Sequence, residues 1–107
     1  MIKVKISYKG EFIESISIKG HANFDNFGKD IVCASVSSIV ITSINAIIRL
    51  DNKAIEYEEN EGIFIKVLKQ DKITHTLLLN MVSLLSELEK QYKKNIIINK
   101  EVHSWDC

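Results

Sequence analysis

The sequence contains no proline, only four glycines and only two cysteines in 107 residues. With no proline and no glycine- or serine-rich stretch, nothing has the composition of a linker, and no segment is of low complexity. One domain over residues 1–107 is therefore expected, a length that buries roughly two-thirds of the unfolded surface without metals or disulfide staples. The two cysteines, Cys33 and Cys107, are too few for the disulfide framework of a small secreted scaffold. Net charge is absent too, because 14 Lys and Arg balance 14 Asp and Glu. Nucleic-acid binding by phosphate neutralisation needs a net basic surface, so no direct nucleic-acid contact is expected. The first ten residues, MIKVKISYKG, alternate and hold no continuous apolar run. Neither a signal peptide nor a membrane helix is expected there, and no membrane partner. The chain is therefore expected in the cytoplasm, where thiols stay reduced and a cysteine can keep a reactive role.

What is present is patterned. Ile2, Val4, Ile6 and Tyr8 alternate with Lys3, Lys5, Ser7 and Lys9, the period of a strand with one buried face. After the Lys9-Gly10 turn signal, Phe12, Ile16 and Ile18 alternate with Ser15, Ser17 and Lys19, which predicts a hairpin. Residues 20–29, GHANFDNFGK, break the period and predict a loop. From Asp30 to Leu50 the spacing turns helical, with Val36, Val40, Ile44, Ile47 and Ile48 on one face and Asp30 placed to cap. So many β-branched residues make the helix depend on burial. Ile55 and Tyr57 then alternate with Glu56 and Glu58, Asn60 to Gly62 turns the chain, and Ile63, Ile65 and Val67 alternate again. A second helix is expected over about Ile73–Lys93, with Leu77, Met81, Leu84, Leu85, Leu88 and Tyr92 inward. A last strand is expected over Ile96–Val102. The order ββαββαβ predicts an α+β fold in which a mixed β-sheet packs with two α-helices.

One stretch carries chemistry. GHANFDNFGKDIVCASVSS, residues 20–38, puts His21 at the end of a strand and Cys33 in the first turn of a helix, joined by a loop. A thiol with an ordinary pKa near 8.5 is only about 3% ionised at neutral pH. Lowering that pKa by two units requires about 2.7 kcal/mol of preferential stabilisation of the thiolate. A helix N-terminus contributes about 0.3–1 kcal/mol, rising to about 2 in favourable sites. A neighbouring imidazolium can supply the remainder and then protonate a leaving amine. His21 is the only histidine that local sequence brings to that helix start. Taken on spacing alone, Cys33 also fits a buried core thiol, since free cysteine is among the most buried residue types.

The triplet Gly20-His21-Ala22, then Gly28, Asp30-Ile31-Val32-Cys33-Ala34 and Val36-Ser37, resembles the signature of the ribosomal-processing cysteine protease family called Prp, as do the length and element order. Ser35 stands where alanine is common in that family. The resemblance implies a homodimeric endopeptidase in which Cys33 and His21 form the catalytic pair. It also implies a substrate: a large-subunit ribosomal protein whose N-terminal extension is removed during ribosome assembly, with aromatic residues just before the cut. No cofactor or metal is implied.

Other residues keep two readings. Asp30 can orient His21 or cap the helix, although a carboxylate close to the thiol would raise its pKa. Asp25 is a weaker candidate for the orienting role. Ser37, four residues after Cys33, lies one helical turn on along the same face; it can bond the thiol or substrate, or merely permit close packing. Ala22, Asn23, Phe24, Phe27 and Gly28 form the loop that would meet substrate, with Gly28 lending it backbone freedom. His75 is expected to be exposed. His103, Trp105 and Cys107 fall in a tail that is a poor zinc site and is expected to be frayed or covered by a partner. Lys90, Lys93 and Lys94 complement the dipole at the end of the second helix. Two rival functions remain, a ribosome-associated binding module without catalysis and a redox-sensing thiol. The second usually needs a resolving cysteine near the first, and only Cys107 is available.

Overall fold

The computed structural model describes residues 1–20 and 31–103. Seven elements follow one another: β1 (Ile2–Lys9), β2 (Phe12–Lys19), α1 (Ile31–Leu50), β3 (Ile55–Glu59), β4 (Gly62–Val67), α2 (Lys72–Gln91) and β5 (Ile96–His103). The strands form one sheet in the order β3-β4-β2-β1-β5. All neighbours are antiparallel except β1 and β5, which run parallel. The expected mixed sheet with two helices in ββαββαβ order is therefore the observed fold.

Period-two burial in β1 fixes which face is covered. Ile2, Val4 and Ile6 are buried, while Lys3 and Lys5 are exposed. Both helices pack on the buried face and join one core with it. Each fully buried isoleucine or leucine contributes about 1.5–3 kcal/mol relative to exposure. Val32, Val36, Val40, Ile44 and Ile47 form the inward stripe of α1. By length and composition α1 could also cross a membrane; here that stripe lies in the core it shares with the sheet.

Local patterning misread three places. In β2 the buried residue near the turn is Ile13, while Phe12 is 37% exposed. The cause is a bulge: Ser7 faces Ser15 and Tyr8 faces Ile13, so Glu14 is the extra residue. The insertion shifts the alternation by one, which lets Ile13 and Ile16 both point inward. In α2 the stripe is Thr74, Leu78, Met81, Val82, Leu85 and Leu88, with Leu77 only half-buried and Leu84 44% exposed. Leucines at 77, 78, 79, 84 and 85 fit more than one rotation of the helix, and the sheet selects this one. The helix also stops at Gln91, two residues short of Lys93. Tyr92 leaves helical geometry at φ −131°, and the N–H groups of Asn95 and Ile96 both donate to its carbonyl. Lys93 and Lys94 thus lie in the turn into β5.

The ends of the elements are held by specific groups. Asp71 caps α2 by accepting from the Thr74 N–H at 2.8 Å. Glu89 of α2 accepts from the Ile98 N–H at 2.7 Å, covering part of the β5 edge that would otherwise offer its ladder groups. Asp51 accepts from the Lys53 N–H and the Lys69 ammonium, which ties the α1–β3 connection to the β4–α2 connection. The ammonium bond holds the Asp51 carboxyl below its ordinary pKa. β5 runs one residue further than expected, through His103, whose carbonyl accepts from the Gly10 N–H at 3.1 Å. His75 is half-buried and meets the Phe12 ring edge-on, with centroids 5.6 Å apart.

Candidate active site

Sheet topology gathers one end of the fold. β1 starts there, β2 ends there, and the β3–β4 turn arrives there because Lys19 pairs with Gly62 and Ile18 with Ile63. α1 begins at the same end, so its first turn stands over these strand termini. Cys33, the third residue of α1, is half-buried and packs against the core. Its neighbour Val32 is fully buried. This anchor fixes the position of the thiol along the helix. The first turn of α1 contains no acidic residue. Its N-terminal partial positive charge, about half an elementary charge, is therefore not offset from within the turn.

A cavity of about 270 Å³ opens beside the thiol. Ile2, Ile18, Val36 and Ile63 give it apolar walls, and Cys33, Ser37, Gly20, Gly62, Glu59 and Asn60 complete the lining. Cys33 and Ser37 therefore share one cavity, as their four-residue spacing requires. Ser35, the departure from the Prp signature, lies elsewhere: its hydroxyl donates to the Ile31 carbonyl at 2.7 Å, and it lines a different cleft, between α1 and α2. That cleft and one at the far end of α1 are larger, at about 480 and 370 Å³, but neither contains a thiol. Size alone would choose another cavity; the Cys33 thiol makes this one the candidate site.

Two glycines shape the cavity. Gly20, the residue before His21, has φ +95°, and a Cβ there would lie 2.3 Å from the Met1 carbonyl oxygen. At Gly62 a Cβ would lie 2.3 Å from the Ile18 carbonyl oxygen. Bare backbone at these two points is what lets the strands approach so closely. The wall formed by Glu59, Asn60, Gly62 and Ile63 was not foreseen from the sequence. The Asn60-Glu61-Gly62 turn was legible, but its place beside Cys33 comes from the pairing of β4 with β2. His21, Asp25 and Asp30, the loop residues Ala22, Asn23, Phe24, Phe27 and Gly28, and Trp105 and Cys107 in the tail all lie outside the described residues. Among the described residues, no three His, Cys, Asp or Glu side chains come together as a metal-binding group.

Comparison with known proteins agrees with this geometry. The pattern of the family described as cysteine protease Prp matches residues 1–97. The ribosomal processing cysteine protease Prp of Staphylococcus aureus strain Mu50 is 35% identical over 104 residues, covering 92% of this chain and 98% of the relative. The Bacillus subtilis protein of the same name is 29% identical over 98 residues, covering 84% and 88%. A crystal structure of the S. aureus protease with a covalently linked product peptide matches with a TM-score of 0.89 and 28% identity, over 94% of this chain and all of that one. A Streptococcus mutans protein, 22% identical with a TM-score of 0.82 over 96% of each chain, shares the fold.

The close approach at Gly62 generates a prediction. Gly62→Ala must push β4 away from β2 and is expected to cost about 1–3 kcal/mol, read as a lower midpoint of urea unfolding. An unchanged midpoint would contradict the close strand approach that forms this wall.

Proposed function

Because the chain belongs to the Prp family of cysteine proteases, we propose that it is an endopeptidase that removes the N-terminal extension of a large-subunit ribosomal protein during ribosome assembly, with Cys33 as nucleophile and His21 as its base. The observation that carries this reading is the Cys33 thiol at the first turn of α1, facing an apolar-walled cavity at the end of the sheet. The S. aureus relatives support it, since one structure holds a covalently linked product peptide and another a substrate peptide.

The steps follow from the chemistry of the two side chains. His21 takes the Cys33 proton, or the two rest as a thiolate–imidazolium pair. The thiolate attacks the scissile carbonyl, and its carbonyl oxygen becomes an oxyanion. Backbone N–H groups near the start of α1 stabilise that charge. Collapse of the tetrahedral adduct breaks the C–N bond, and His21 protonates the departing amine. A thioester on Cys33 remains. Water, deprotonated by His21, hydrolyses it and restores the thiol. No cofactor enters these steps. Ser37, in the same cavity, bonds the thiol or the substrate backbone, and Asp30 orients His21 or caps α1. The loop bearing Ala22, Asn23, Phe24, Phe27 and Gly28 meets the peptide. The enzyme acts in the cytoplasm as a homodimer.

Two experiments test this reading. Mass spectrometry of an extended ribosomal-protein peptide is expected to record a single cut by the wild type. Cys33→Ala and His21→Ala should each lose activity by about 10³-fold or more. Equal cutting by Cys33→Ala would remove the nucleophile assignment, and binding without cutting by any form would make a non-catalytic ribosome-associated module the better account. Sedimentation velocity across micromolar concentrations is expected to give the mass of a dimer. A monomer throughout would remove that part of the proposal.

A further inference from the structure

The wall of the cavity facing α1 carries a charge that the proteolytic steps do not use. Glu59 closes β3 and stands in register opposite Ile63 of β4. The turn that follows is fixed, since the Asn60 N–H donates to the Gly62 carbonyl at 2.9 Å and Gly62 is held against Ile18. Glu59 is exposed and forms no ion pair among the described residues. Apart from the Cys33 thiol itself, it is also the one ionisable side chain among the described residues lining that cavity. The neighbouring cleft differs: there Glu58 and Glu61 lie with Lys19, so charge of both signs is present.

We propose that Glu59 is a specificity-determining residue, which makes the protease prefer a neutral or cationic substrate side chain over an acidic one at the peptide position reaching this rim. The proposal rests on the reading of Cys33 as a proteolytic nucleophile and adds to it a selection by charge. An extended peptide alternates its side chains. One apolar side chain enters the space between Ile2, Ile18, Val36 and Ile63, and a nearby residue on the same strand of peptide is carried past Glu59. A carboxylate there meets like charge beside a low-dielectric wall, whereas an ammonium meets opposite charge. The effect acts on the bound peptide whether or not the bond has begun to break, so it should appear chiefly in KM.

The test uses a set of otherwise identical extended peptides, each with Lys or Glu at a single position before the cut. At one position the Lys peptide is expected to have a kcat/KM about three- to tenfold above its Glu counterpart. Glu59→Gln should bring that ratio below about twofold, and Glu59→Lys should invert it. The wild-type ratio should shrink as salt rises from about 0.05 to 0.5 M. Glu11→Gln, in the β1–β2 turn at the other end of the sheet, should leave it unchanged. Equal rates at every position, or a preference that survives in Glu59→Gln, would overturn the proposal. If no peptide is cut, the protease reading fails by itself, and the same ratio is then read from fluorescence anisotropy of labelled peptides binding to Cys33→Ala. A Glu59-dependent preference for Lys would sustain the charge selection, and equal or absent binding would overturn it as well.

Discussion

Val32, Val36, Val40, Ile44 and Ile47 form one buried stripe, and their burial in the shared core fixes where α1 begins. The helix is rich in β-branched residues and has little intrinsic preference to form, so this burial is what holds it. Because Val32 is fully buried, Cys33 cannot slide along the sheet without exposing the stripe. The thiol is therefore set at the strand ends by the packing of the whole stripe. The same constraint brings Ser37 to the cavity and turns Ser35 away from it.

The second constraint is backbone proximity. The ends of β1, β2 and β4 come together at Gly20 and Gly62, where a single added carbon would strike the carbonyl oxygen of Met1, just before β1, or of Ile18 in β2. The cavity is walled by these strand ends and by α1, so its shape comes from the sheet, while the thiol comes from the helix. Such a division suits the proposed mechanism, in which rigid elements hold the Cys33 nucleophile and the apolar walls, and His21 acts as the base.

Much of this was legible in the sequence. Alternation in β1 named its buried face correctly, and the helical spacing of Val36, Val40, Ile44 and Ile47 named the stripe of α1. The GHA triplet and the run DIVCA identified the family and hence the fold. Three features were hidden because they are not local. The Glu14 bulge leaves no mark in composition, since an inserted glutamate looks like any solvent-facing strand residue. The rotation of α2 is decided by the sheet among several leucine stripes of equal merit. The Glu59–Ile63 wall reaches Cys33 only through the pairing of β4 with β2, between segments more than forty residues apart. Local periodicity predicts each strand but says nothing of its neighbour.

The central claim is that Cys33 forms a covalent bond with the substrate acyl group, and intact-protein mass spectrometry of acid-quenched reactions tests it most directly. Mixing the enzyme with an extended ribosomal-protein peptide and quenching at short times should reveal a species heavier by the mass of the N-terminal product less one water. Digestion should map that thioester to the peptide containing Cys33 and not to the one containing Cys107. Cleavage that proceeds with the acyl group on a residue other than Cys33 would contradict the account.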